Sequence, residues 1–377
     1  MADRLAVISV NASWNVINFR MCVIRALQRE GFRVAVIAPA DEYSARFESL
    51  GVDYYPIEID KKGISPRRDL TLLRDFHRLL SRLRPAVFLG YTAKPNVYGS
   101  LAAHRLRIPV INNVSGLGTA FIGNPLLTRI VSTLYRLAFR RSATVFFQNA
   151  DDRSLFVSKR LVREEQARLL PGSGIDLKRF APAEDEGSRS AAPVRFILIS
   201  RLLRDKGVFE YVEAARILKA EGSDAQFRLL GPTGAANRTA IGSDEVADWV
   251  RRGLIDYLGS TDDVRSFIAD ADCVVLPSYR EGLPRILLEG AAMAKPLVAT
   301  DVPGCRDVVQ DGVNGLLCAA RDAGSLAAAM RRMTQMTAEQ RTQMGRSGRR
   351  MVEERFDERF IDQAYVDAVL KATAAKR

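Results

Sequence analysis

Histidine and cysteine are scarce in this chain of 377 residues, which has two of the first and four of the second. Cys22, Cys273, Cys305 and Cys318 lie far apart, without a C-x-x-C pair or a matching set of histidines, which excludes a zinc-binding framework. They read as small buried hydrophobes in a reducing cytoplasm. His77 falls in the middle of a helical pattern and His104 at the end of one, so both read as structural and no histidine base is evident. Nowhere do about 18 apolar residues follow one another, so no segment has the pattern of a bilayer-spanning helix. The apolar run Leu5–Val10 behind Arg4 is too brief for a secretory signal. Low-complexity tracts are also missing, and 47% apolar with 27% charged residues is a globular composition.

What the chain has in excess is positive charge, a formal +12. Residues 1–180 hold 28 Lys+Arg against 15 Asp+Glu, and the remainder 28 against 29, so the whole excess sits in the first half. Residues 101–150 contain six arginines and no acid. Such an asymmetry favours contact with phosphates, in nucleic acid, anionic lipid or a lipid-linked diphosphate.

Short β-branched or apolar runs alternate with longer segments of helical period, the pattern of parallel sheets wrapped by helices. The first half predicts strands at Leu5–Val10, Arg33–Ala38, Ala86–Leu89, Pro109–Asn112 and Thr144–Phe147, with helices including Phe19–Glu30, Asp69–Leu83 and Asn96–Arg105. A stretch without period, 181–193, reads as a linker. The alternation restarts with Val194–Ile199, Gln226–Leu230, Ile255–Leu258, Cys273–Leu276, Leu297–Thr300 and Gly315–Leu317. Two doubly wound α/β domains are expected, 1–180 and 194–355, with a closing helix at about 356–377 able to pack on either.

Open α/β sheets bind ligands beyond the carboxyl ends of their strands. In the second half those positions carry Arg201, Arg204 and Lys206 in one loop, Gly231-Pro232 and Leu258-Gly259 in others, and Glu281-Gly282-Leu283-Pro284 leading into a helix with Glu289. Together they describe a diphosphate site: cations, amides at a helix start, and Pro284 at the first helical position, where its missing N–H costs nothing. Carboxylates pair with the hydroxyls of a ribose or a second sugar.

Glu281 and Glu289 stand in an E-x7-E arrangement within PSYREGLPRILLEGAAMAKPLVATDVPG, which resembles the donor signature of glycosyltransferase family 4, of GT-B fold. SRLLRDKGVFEYVEAA is similar to that family's phosphate-binding loop. YTAKPNVYGSLAAHRLRIPVINNVSGLG and RLAFRRSATVFFQNADD resemble the first lobe of a subgroup acting on polyprenyl-diphosphate-linked sugars, so the likeness spans the chain. It implies two Rossmann-like domains facing across a cleft and retaining transfer of a sugar, an N-acetylhexosamine such as N-acetylgalactosamine, from a UDP-sugar. Arg201 and Lys206 would neutralise the departing diphosphate and Glu281 would hold the transferred sugar, these three forming the catalytic set. Glu289 would hold the ribose, Gly282 and Leu283 the phosphate or sugar, and Leu258 and Gly259 the base. Ser13 is the donor-side candidate of the loop Asn11-Ala12-Ser13-Trp14, where many members carry glycines. Ser115 stands where many relatives have a histidine; with Lys94 and Asn96 it forms the acceptor-side set. No tightly bound cofactor and no essential metal are expected, and the implied location is peripheral, on the inner face of a bacterial plasma membrane.

Residues 125–141, PLLTRIVSTLYRLAFRR, mix apolar residues with Arg129, Arg136, Arg140 and Arg141, as in a helix lying at an anionic membrane surface. An ordinary amphipathic helix packed on its own sheet has the same pattern. Asp270-Ala271-Asp272 has the D-x-D form of a metal-binding motif but precedes a strand rather than following one. Three other readings stay open: a transferase with a soluble acceptor, a nucleotide-sugar epimerase, and a basic nucleic-acid-binding protein, although no binding module of the last kind is present.

Overall fold

The computed structural model describes residues 4–60, 65–116, 125–182, 193–234 and 239–374. The chain divides into two compact units, Met1–Gly174 with Glu358–Arg377, and Ile175–Asp357. The expected linker lies largely outside the described residues, as do Leu117 and Gly118 and the side chains of Leu126 and Leu127.

The first unit holds one seven-stranded sheet of β1 (Arg4–Ser9), β2 (Phe32–Ala38), β3 (Asp53–Pro56), β4 (Val87–Tyr91), β5 (Val110–Val114), β6 (Thr144–Phe147) and β7 (Ala167–Leu169). The order is β3-β2-β1-β4-β5-β6-β7, with every pairing parallel. Both faces of a parallel sheet are covered by crossover helices, so its central strands are buried; all of β4 and β5 is buried, including Asn112 and Asn113. The helix Glu358–Ala374 supplies Ile361, Tyr365 and Val369 to the core containing β1, β2 and β4.

The helix expected at Phe19–Glu30 is two helices, Ser13–Phe19 and Met21–Arg29, broken at Arg20. Arg20 is buried, with its guanidinium 4.3 Å above the ring of Tyr91. In place of the helix start expected at Asn96 there is a π-turn over Pro95–Gly99, running into the helix Ser100–Arg105.

The second unit repeats the plan with β8 (Arg195–Ile199), β9 (Gln226–Leu230), β10 (Asp256–Tyr257), β11 (Cys273–Leu276), β12 (Leu297–Thr300) and β13 (Gly315–Cys318). Its order is β10-β9-β8-β11-β12-β13, again all parallel. In both sheets the direction of winding reverses beside the first strand, between β1 and β4 and between β8 and β11. Chain connections leave such a pair in opposite directions and open a crevice at its carboxyl ends.

Candidate active site

The loops that follow β8 and β11 meet backbone to backbone. Gly207 ends the loop after β8 with φ 72°, and a Cβ placed on it would come within 2.0 Å of the Pro277 carbonyl oxygen. The amide of Tyr279 donates to the Asp205 carbonyl at 3.0 Å. Only glycine permits this left-handed backbone at that spacing. The contact brings Arg201 and Lys206 to the same strand ends as Glu281. A second close approach sits behind it, where a Cβ on Gly231 would stand 1.7 Å from the Ser200 carbonyl oxygen. Gly231 also donates its amide to Gly259 at 2.8 Å, so the loops after β9 and β10 join the same edge, with Leu258 half-buried.

Lys206 Nζ lies 2.5 Å from Glu281 Oε1, and the two side chains are 21% and 13% exposed. Arg201 is exposed and has no ion-pair partner among the described residues. Glu281 is held from behind: its amide donates to the Pro303 carbonyl at 3.3 Å, and Gly304 packs against the carbonyls of Glu281 and Gly282. Cys305 is buried close by, and burial pushes its thiol well above the usual range.

Glu289 lies in the helix Arg285–Ala292 and is buried. Burial raises its pKa above the ordinary 4.5 and Asp263 adds to the rise, while Arg285 and Arg179 oppose it. Arg285 Nε donates to Glu289 Oε1 at 2.8 Å from one turn earlier. Neither Arg285 nor this pairing was evident in the sequence, where its i,i+4 spacing to an acid was the available signal. Pro284 occupies the cap position rather than the first helical one, as its ψ of 113° shows, so the helix begins one residue later than expected. The amides of Leu283 and Ile286 have no acceptor among the described residues. They leave a helix start able to receive an anion.

A further cluster borders the site. Tyr279 Oη donates to Glu210 Oε1 at 2.6 Å, and Arg321 lies 4.7 Å from the Tyr279 ring. Burial and the acidic neighbour push the Tyr279 phenol up to about 12. The D-x-D pair is spent on structure: Asp272 bonds Arg195 at 3.0 Å, and Asp270 bonds both Arg195 and Arg228 at 2.5 Å.

In the first unit the expected residues divide. Ser13 is buried, donates to the Pro39 carbonyl at 3.0 Å and receives Ser44 at 3.0 Å. Asn96 is 1% exposed, donates to the Asn113 carbonyl at 2.8 Å and accepts from Asn112 at 3.0 Å. Both side chains are committed to the unit's own architecture. Lys94 pairs with Asp69 at 2.7 Å and remains 19% exposed. Ser115, half-buried after β5, donates to Asn113, whose amide donates to Tyr365 of the closing helix at 2.9 Å. His104 Nε2 meets the Ala138 carbonyl at 2.8 Å, and burial lowers its pKa, in keeping with a structural role.

Two family descriptions match this chain, "Glycosyl transferase 4-like domain" over residues 21–173 and "Glycosyl transferases group 1" over residues 193–336. The chain belongs to glycosyltransferase family 4, of GT-B fold. It is 28% identical over 334 residues, 84% of this chain and 85% of the relative, to the N,N'-diacetylbacillosaminyl-diphospho-undecaprenol alpha-1,3-N-acetylgalactosaminyltransferase of Campylobacter jejuni subsp. jejuni serotype O:2. It is 22% identical to the UDP-Gal:alpha-D-GlcNAc-diphosphoundecaprenol alpha-1,3-galactosyltransferase of Escherichia coli, covering 72% of each chain. Among solved structures, Anabaena HepE in complex with UDP has a TM-score of 0.78 at 18% identity, covering 98% of this chain and 100% of that one. Sucrose-phosphate synthase from Thermosynechococcus elongatus has a TM-score of 0.80 at 18% identity, covering 99% and 100%. These two likenesses show the fold.

Proposed function

We propose that this chain is a retaining glycosyltransferase. It moves a sugar, an N-acetylhexosamine such as N-acetylgalactosamine, from a UDP-sugar to a polyprenyl-diphosphate-linked saccharide in the assembly of a bacterial surface glycan or glycoprotein oligosaccharide. The observation that carries the reading is the meeting of Lys206 and Glu281 at the β8/β11 switch point, with Arg201 exposed in the same loop as Lys206 and a helix start running to Glu289. The Campylobacter and Escherichia coli relatives, both named as transferases onto undecaprenyl-diphosphate-linked sugars, support the acceptor class. The HepE complex supports the nucleotide.

On this reading the second unit takes the donor and the first takes the acceptor. Arg201 and Lys206 face the diphosphate, Glu289 the ribose, Glu281 the transferred sugar, Gly282 and Leu283 the phosphate, and Leu258 and Gly259 the base. Charge grows on the leaving diphosphate as the bond to the sugar breaks. Fixed cations and amides stabilise that charge more than they stabilise the bound ground state, which is what lowers the barrier. With no histidine base, the departing phosphate accepts the proton of the attacking hydroxyl on the same face, which retains configuration at the sugar. Lys94 and Ser115 are the accessible acceptor-side groups. A screen of nucleotide sugars for thermal stabilisation tests the reading, because only a ligand bound by the folded state raises its population. A uridine nucleotide sugar should give the largest shift; stabilisation by none of them would sink the proposal.

The acceptor class carries a membrane reading with it. No helix among the described residues is long and apolar enough to cross a membrane. The helix Pro125–Phe139 instead turns Ile130 and Leu137, 46% and 52% exposed, outward among Arg129, Arg136 and Arg140. Its other side packs Tyr135, Ala138 and Phe139 into the unit's core. Arg136 also donates to the carbonyls of Lys159 and Arg160, which leaves Arg129, Arg140 and Arg141 as the better headgroup ligands. Co-sedimentation with anionic vesicles should be strong at low salt and weak at high salt. Absence of binding to anionic vesicles would remove the surface role.

A further inference from the structure

Lys206 already holds an anion, and that anion is Glu281. Their 2.5 Å contact is only 21% and 13% exposed, and both backbones are pinned, Lys206 by the close approach of Gly207 and Glu281 by Pro303 and Gly304. The pair can therefore part by side-chain rotation while the loops stay where they are. A diphosphate arriving at Lys206 competes with the carboxylate for the same ammonium. Once displaced, Glu281 is a partly desolvated charge without its cation, a costly state unless new donors reach it. Sugar hydroxyls are such donors, and a bare nucleoside diphosphate has none to offer there.

Resting on the donor reading above, we propose that Glu281 is a built-in competitor for the diphosphate's cation, so that the site favours an intact sugar nucleotide over the nucleoside diphosphate it leaves behind. When the sugar departs, Glu281 loses its hydroxyl partners and returns to Lys206, which expels the nucleotide. The residue thereby determines specificity between substrate and product as well as touching the sugar.

Calorimetric titration of UDP and of UDP-N-acetylgalactosamine tests this on the wild type, Glu281→Gln, Glu281→Ala, Lys206→Met and the double variant Glu281→Gln with Lys206→Met. Each variant's melting temperature is taken in parallel. Glu281→Gln should bind UDP about fivefold more tightly than the wild type, while the advantage of the sugar nucleotide over UDP shrinks toward none. In the Lys206→Met background the same Gln substitution should change UDP affinity less than about twofold, because no ammonium is left to contest. Unchanged or weaker UDP binding in Glu281→Gln and Glu281→Ala, with UDP still binding the wild type, overturns the competition alone. An equal gain with and without Lys206 overturns it too, since that is a plain field effect of one acid. Absence of uridine nucleotide binding to the wild type overturns the donor reading and this inference together.

Discussion

Replacing Arg285 by Gln should destabilise the second unit, and more so at alkaline than at acidic pH. Arg285 and Glu289 are 21% and 12% exposed at 2.8 Å. Exposed pairs contribute about 0–1 kcal/mol, whereas removing one partner of a fully buried pair costs about 3–5 kcal/mol. This pair lies between those limits. Arg285 also stands in the first turn of its helix, where the dipole disfavours a cation by about 0.3–1 kcal/mol, so Gln recovers part of the loss. The net penalty is about 2 kcal/mol at pH 8, a fall of about 4–8 °C in Tm for a unit of this size.

The pH dependence follows from linkage. Burial raises Glu289 above its ordinary 4.5, so the folded state binds this proton more tightly than the unfolded chain does. Its contribution to stability therefore falls as pH rises from 4.5 through the raised folded value, and is constant above that. Without Arg285 the folded value climbs further and the window widens upward. The Gln penalty is then greatest above that window and fades as acid protonates Glu289. Arg179 and Asp263, the other charges facing Glu289, are present in both proteins and cancel in the comparison. Thermal unfolding of both proteins at about pH 8 and about pH 5 measures it. A Tm difference that is the same at both pH values would refute the reasoning, because it would place the cost in packing rather than in an unpaired carboxylate.

Three other outcomes are expected. Lys206→Ala should lower the initial transfer rate about a hundredfold with an unchanged circular dichroism spectrum, and a near-wild-type rate would remove Lys206 from catalysis. Gly207→Ala should cost more than about 2 kcal/mol in urea unfolding, because its Cβ meets the Pro277 carbonyl at 2.0 Å. Gly253→Ala, at φ 65° with open space around it, should cost only about 1 kcal/mol; equal losses in the two would show that the loop contact is soft. Turnover should be insensitive to a chelator, since Asp270 and Asp272 are engaged by arginines, and strong inhibition by EDTA would contradict that.

The central strands were legible because parallel strands buried on both faces are short continuous apolar runs, as at Phe196–Leu198 and Cys273–Leu276. The edge strands β3 and β7 were not. Asp53–Pro56 is half-exposed and ends in proline, and Arg168 and Leu169 face solvent, so neither has an apolar run to read. At the site, the residue types and their strand-end positions were readable, because glycines, cations and acids cluster there in sequence. The pairing of Lys206 with Glu281 was not, since it joins residues 75 apart through a backbone contact that only the fold creates. Asn96 and Ser13 show the converse: a polar residue at a strand end can point outward to a ligand or inward to a neighbouring carbonyl, and its type does not say which.

The helix Glu358–Ala374 has a practical consequence for recombination. It donates Ile361, Tyr365 and Val369 to the core of the unit built from the start of the chain. A hybrid made by joining the front of this gene to the back of a relative's would pair a native sheet with a foreign closing segment. Exchanging the second unit between relatives therefore calls for an internal cassette, roughly 175–357 here, cut at both crossings.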